Sequence, residues 1–146
     1  MNPNTKKFIE TWGEELIADV LQALEDKGHI ATGRLYLSIR KEEREALDEI
    51  QLLIYKEDYG KYVDSGRPAG KQPPLDKIKE WCRVKGIPVK AAFPIARKIG
   101  RIGTRPSNYF RVPLGVRLAL LETEIAAPMR DDLVLRLREL AKQINN

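Results

Sequence analysis

The chain has 146 residues, 42% of them apolar and 32% charged, the balance of one soluble globular domain that buries roughly two thirds of its unfolded surface. No stretch approaches the roughly 20 uninterrupted apolar residues of a membrane span, and no signal-like apolar run follows Met1-Asn2-Pro3-Asn4-Thr5-Lys6-Lys7, so we expect no membrane partner and a chain that stays where it is made. A single cysteine, Cys82, excludes an internal disulfide, and a single histidine, His29, excludes a conventional Cys/His zinc site.

The formal charge of +5 is unevenly spread. Gly66 to Arg117 holds 13 Lys/Arg against two acids, Asp76 and Glu80, a net +11 that leaves −6 for the remainder. Such a basic middle suits phosphate, or the acidic surface of another copy in a ring or stack.

Phe8, Trp12, Leu16, Val20 and Leu24 fall four apart, which predicts a helix from about Asn4 to Lys27, capped by Asn4 or Thr5 and stopped at Gly28. Thr32 then caps a short turn carrying Leu35 and Ile39 inward. Glu49 to Tyr55 reads as a strand with Ile50, Leu52 and Ile54 on one face. Arg40 to Glu45 reads as its edge partner across an Ala46-Leu47-Asp48 turn, with a helix over the same Glu/Arg-rich run as the competing reading.

Asp58 to Gly66 forms a short turn with two tyrosines, and Arg67 to Gln72 and Pro73 an exposed loop, mobile unless a partner orders it. Pro74 opens a helix to Lys85 that buries Leu75, Ile78, Trp81 and Cys82. A second helix, Lys90 to Ile99, buries Phe93, Ile95 or Ala96, and Ile99, and ends at Gly100 and Gly103. Leu114, Leu118, Leu121 and Ile125 recur at helical spacing until Pro128 breaks or kinks the helix. A last amphipathic piece, Asp131 to Ile144, lines up Leu133, Leu137, Leu140 and Ile144, with Asp131 or Asp132 near its electropositive N-terminus. Residues 114–146 thus form a helical C-terminal extension.

Catalytic chemistry has a thin inventory. Cys82 sits beside Trp81 on an apolar stripe and reads as a packed thiol, and His29 as a loop residue. Glu14/Glu15 and Asp131/Asp132 are adjacent, so a helix points each pair in different directions. Gly66 to Lys71 lacks the spacing and the Ser/Thr of a phosphate-binding loop. Gly100-Arg101-Ile102-Gly103 matches the GxxG of a KH clamp, but Pro106 disfavours the helix that must follow. We expect no enzyme, cofactor or metal. The helix pair 74–103 imitates a helix-turn-helix with Lys90, Arg97, Lys98 and Arg101 open to phosphates; a small DNA-binding protein is therefore the alternative function.

Three segments recur in order: Thr32-Gly33-Arg34-Leu35 with Ser38-Ile39, Tyr59 with Tyr62-Val63 and Gly66, and Gly103-Thr104-Arg105-Pro106 leading to Phe110 and Pro113. Together they resemble the tail-completion or neck family of tailed bacteriophages over residues 32–113. The resemblance implies an α+β protomer with a small, mostly antiparallel sheet packed by N-terminal, central and C-terminal helices. It implies a homo-oligomeric ring, of six or twelve copies, at the head-to-tail junction of the virion, put together in the host cytoplasm. Its partners are then itself, the portal-connector and tail proteins above and below, and genomic DNA in transient non-specific contact. Thr32, Gly33, Arg34, Leu35, Gly66, Gly103, Phe110 and Pro113 read as fold residues. Arg67, Lys71, Arg101 and Arg105 read as lumen or interface contacts. The 33 residues after Pro113 exceed the family's usual length, and Arg67-Pro68 replaces its commoner Gly-Thr.

Overall fold

The computed structural model describes residues 3–28, 33–46 and 49–144; Thr32, His29, Leu47 and Asp48 lie outside them. Helix α1, Pro3–Asp26, buries Trp12, Leu16, Val20 and Leu24, the stripe its period predicts. Gly28, at φ 66°, turns the chain away and donates to the Glu25 carbonyl at 2.9 Å. A five-residue helix α2, Arg34–Ser38, sets Leu35 and then Ile39 into the same core.

The Glu/Arg-rich run is a strand. β1, Arg40–Ala46, pairs antiparallel with β2, Glu49–Tyr55, from Arg40 opposite Tyr55 to Ala46 opposite Glu49. Alternation decides against the helix: Leu52 and Ile54 reach the core from β2, while β1 spends its charges on itself and on α1, Arg44 pairing with Glu42 at 2.8 Å and Glu45 with Lys6 at 2.9 Å. Gly13 lets α1 cross the sheet closely, since a Cβ there would stand 3.1 Å from the Leu52 side chain. The fold is α+β, a two-stranded antiparallel sheet among helices.

Beyond the sheet lie α3, Gly60–Ser65, then α4, Leu75–Lys85, a 3-10 turn at Val89–Ala91 and α5, Ala92–Ile102. Gly86, at φ 69°, ends α4. α4 and α5 pack through Cys82, Ala92 and Ala96, and neither contributes to the main core. This small contact leaves Trp81 and Phe93 exposed, against the sequence expectation, because two short helices offer no third layer to cover them. α5 also runs through Gly100 and stops only at Gly103.

Everything from Arg111 to Ile144 is one helix, α6. Pro113 therefore lies in its first turn and does not precede it, and Pro128 does not divide it. Proline in a helix interior forfeits one hydrogen bond and costs about 3 kcal/mol. Here the helix is held against α1 on both sides of Pro128, by Leu121 before it and Asp132 after it. Among the described residues no helix is long and apolar enough to cross a membrane.

Asp132 does not serve the start of a last helix. It is buried, and it caps α1 from the far end of the chain. Its Oδ1 accepts from the Asn4 backbone N–H at 3.1 Å and side-chain amide at 2.9 Å, and its Oδ2 from the Thr5 N–H at 2.8 Å and hydroxyl at 2.6 Å. Asn4 and Thr5 are thus capped rather than capping. Antiparallel pairing of α1 with α6 is fixed further along, where Arg117 donates to Asp19 at 2.6 Å and also pairs with Glu15.

Burial opposes the Asp132 charge, but the hydrogen bonds from Thr5 and Asn4 outweigh it and hold the carboxyl below its usual pKa. A folded pKa below the unfolded value of about 3.9 gives stability that is full above that value and lost as pH falls through the folded one. Asp132→Asn should lower Tm at pH 7, and the gap from wild type should close as melts are repeated from pH 5 down to pH 2.

Candidate functional site

The three sequence segments meet in space. Tyr109, fully buried, stands between Leu35 and α3, and a Cβ on Gly60 would lie 2.7 Å from its hydroxyl and 2.8 Å from Leu35 Cδ1. Gly60 is a close-approach position, a role the sequence reading did not assign it. Ser107 donates to the Val63 carbonyl through N–H at 3.1 Å and hydroxyl at 2.7 Å, and the Asn108 N–H reaches the Asp64 carbonyl at 2.9 Å. Asp64, buried, then accepts from the Phe110 N–H at 2.8 Å and the Arg111 N–H at 3.2 Å, capping α6. Phe110 packs edge-on to Tyr109 with centroids 6.4 Å apart, under the Lys56 ammonium 4.5 Å from its ring.

Gly33 is left-handed at φ 71° and opens α2. Arg34 joins α2 to α4 through Glu80 at 3.1 Å. Leu35 is buried in the core, and Phe110, partly buried, packs against it.

The loop after α3 is pinned by its own chain, which corrects the expectation of mobility. Arg67 and Thr104 form an antiparallel bridge, with Arg67 N–H to Thr104 O at 3.2 Å and Thr104 N–H to Arg67 O at 2.8 Å. The Gly70 N–H donates to the Gly100 carbonyl at 2.7 Å. Three glycines make this approach feasible. A Cβ on Gly103 would stand 2.1 Å from Arg67 O, one on Gly66 2.5 Å from Thr104 O, and one on Gly100 2.6 Å from the Gln72 side chain. Gly66 and Gly103 also sit at positive φ, 72° and 74°, where other residues are strained. Gly100 and Gly103 therefore hold a loop against α5, and no helix follows them directly as a KH clamp needs.

This clasp brings the backbones of four predicted contact residues together, with Arg67 beside Thr104–Arg105 and Lys71 beside Gly100–Arg101. The Arg67 guanidinium covers the Tyr62 ring at 4.9 Å and lies 3.4 Å from both the Lys71 and the Gln72 carbonyl. Along α5, Pro94, Arg97, Lys98, Arg101 and Ile102 line one shallow concavity. Among the described residues no carboxylate pairs with Lys71, Arg97, Lys98, Arg101 or Arg105; the ion pairs gather around α1, the sheet, α2 and α6. The basic lobe therefore projects its charge into solvent, where a polyanion gains from it. Cys82 is fully buried between α4 and α5, out of reach of such a surface.

The first turn of α5 presents Phe93 and Pro94 to solvent. A recognition helix places hydrogen-bonding side chains at that point to read base edges. No protein-family model matches the chain, and neither does any curated protein or solved structure.

Two outcomes follow for the clasp and its neighbour. Gly103→Ala should destabilise the protein by more than about 1 kcal/mol, with hydrogen-exchange protection at Gly70 and Thr104 lost first. Among the described residues Tyr109 has no partner for its buried hydroxyl, and burial, then the nearby Asp64 and Tyr59, push its pKa up to about 12. Tyr109→Phe should hold or raise Tm, because removing an unpaired buried polar group is close to neutral or favourable. The same change should partly rescue Gly60→Ala in a double-mutant cycle.

Proposed function

We propose that this chain is a structural virion protein of a tailed phage, a ring subunit of the neck or tail-completion type that joins the portal-connector to the tail around the DNA path. The observation that carries the reading is the unneutralised basic lobe, held by a glycine clasp made from the same segments on which the family resemblance rests. The lobe meets passing phosphate without reading sequence, and weak non-specific contact suits a conduit, since tight binding would hinder DNA ejection. The acidic remainder of the chain is complementary to the lobe of a neighbouring copy, so part of the ring contact is electrostatic. The work is assembly, with no catalysis of its own.

The second reading is a small DNA-binding protein using the α4–α5 pair, favoured by the compact hairpin and by Arg97, Lys98 and Arg101 on the exposed side of α5. The exposed Phe93 and Pro94 at the start of α5 weigh against it.

Negative-stain imaging of the protein, alone and mixed with the portal-connector and tail proteins of the same genome, separates the two. Closed rings, or density added at a portal vertex, are expected, and rings should loosen as salt rises. Monodisperse protein that ignores those components and binds one duplex sequence tightly would favour the helix pair. On generic duplex DNA, Lys71→Ala with Arg101→Ala should weaken binding equally for all sequences and reduce the slope of log affinity against log salt by about 2.

A further inference from the structure

α6 carries a second apolar seam that its own chain leaves bare. The side that packs on α1 holds Leu114, Leu121 and Asp132. About a quarter-turn away run Gly115, Ala119, Glu122, Ala126, Met129, Leu133, Leu137 and Leu140, spaced by four and three, the repeat of a helix that packs along another helix. All eight are exposed, Met129, Leu133, Leu137 and Leu140 at 53%, 55%, 56% and 47%. Asp132 already sits at the first residues of α1, so the helix beyond it extends about 18 Å past its last hydrogen bonds to α1 among the described residues.

The seam is graded. Its first half is small, with Gly115, Ala119 and Ala126, and its second half large, with Leu133, Leu137 and Leu140. Gly115 is disfavoured inside a helix, and nothing in this chain explains it, since a Cβ there would meet no atom within 4 Å. Ala119 and Ala126 at one end and Leu140 and Leu133 at the other are complementary to one another only when the seam is reversed.

We infer that two copies of this chain pair through α6 in antiparallel fashion. Leu140 of each packs on Ala119 of the other, Leu133 on Ala126 and Leu137 on the stem of Glu122, with Met129 and Arg130 at the two-fold axis. Arg136, next to Leu137, brings a cation to Glu122. Neither of these has an ion-pair partner within the chain among the described residues. A parallel pair would set leucine on leucine at one end and leave a gap at the glycine end. Such a pair is isologous and is not the contact that closes a cyclic ring. It is the form that covers the seam outside a ring, and it stands or falls independently of the neck reading.

Sedimentation equilibrium should give a dimer for the full-length protein. Leu137→Lys and Ala126→Leu should each weaken it at least tenfold, with the far-ultraviolet spectrum unchanged and Tm of the dilute monomer retained. Single cysteines tested with a short bismaleimide set the direction, the buried Cys82 of the wild type serving as the unreactive control. Met129→Cys should link to itself, Leu140→Cys should not, and Leu140→Cys combined with Ala119→Cys should. Self-linking of Leu140→Cys would mean a parallel pair and overturn the proposal. So would a wild type that stays monomeric at every concentration, or a seam protected only by a connector or tail protein.

Discussion

Asp64 fixes where α6 begins, and much of the molecule follows from that. With its oxygen held by the Phe110 and Arg111 amides, the first turn of α6 is anchored to α3. Twenty-one residues later, about 32 Å along the helix axis, Asp132 arrives at the exposed amides of α1. One buried carboxylate thus sets the register at which another finds its donors. Between them the apolar stripe of α1 is covered, with Tyr109, Leu114 and Leu121 laid against it in turn. The cost of burying each charge is offset by the helix amides that need an acceptor.

The same segments that anchor α6 hold the basic lobe at a distance from this core. α4 and α5 touch the rest through the Arg67–Thr104 bridge, the Gly70–Gly100 hydrogen bond and the Arg34–Glu80 pair. Charge is segregated accordingly. Acids and bases on α1, the sheet and the start of α6 neutralise one another, whereas the lobe keeps its cations unpaired. Exposed single ion pairs contribute little to stability, so the main consequence of the segregation is a positive field over one side of the molecule.

Periodicity made the helices and strands legible, because each buries one face against something larger. α1, β2 and α4 lie close to where their apolar spacing puts them. The errors share a cause, which is that one-dimensional spacing does not reveal the partner. Trp81 and Phe93 occupy stripe positions on helices with too little opposite them to bury a ring. Leu133, Leu137 and Leu140 lie on the predicted stripe and stay about half exposed. Pro128 reads as a breaker until α1 is seen to support the helix on both sides of it. Asp132 finds its donors 127 and 128 residues away, which no local pattern encodes. The clasp was half visible: Gly66 and Gly103 read as fold residues and Gly100 as a helix end, but what approaches them is a loop that composition alone marks as free. Of the site, the four cations named from the sequence do come from adjoining segments, while Gly60 and Asp64, which shape their surroundings, were passed over as parts of a turn.

Pairing the first helix with the last also sets an order of events during synthesis. Leu16, Val20 and Leu24 emerge from the ribosome early, yet the helix that seals them is completed about 100 residues later. At roughly 5–20 residues per second, this apolar stripe waits on the order of 5–20 s for its cover. Through that interval the nascent chain has the charged outer face of α1 and the early sheet as its protection against sticking to other chains, and its dependence on chaperones should be greatest just before α6 is released.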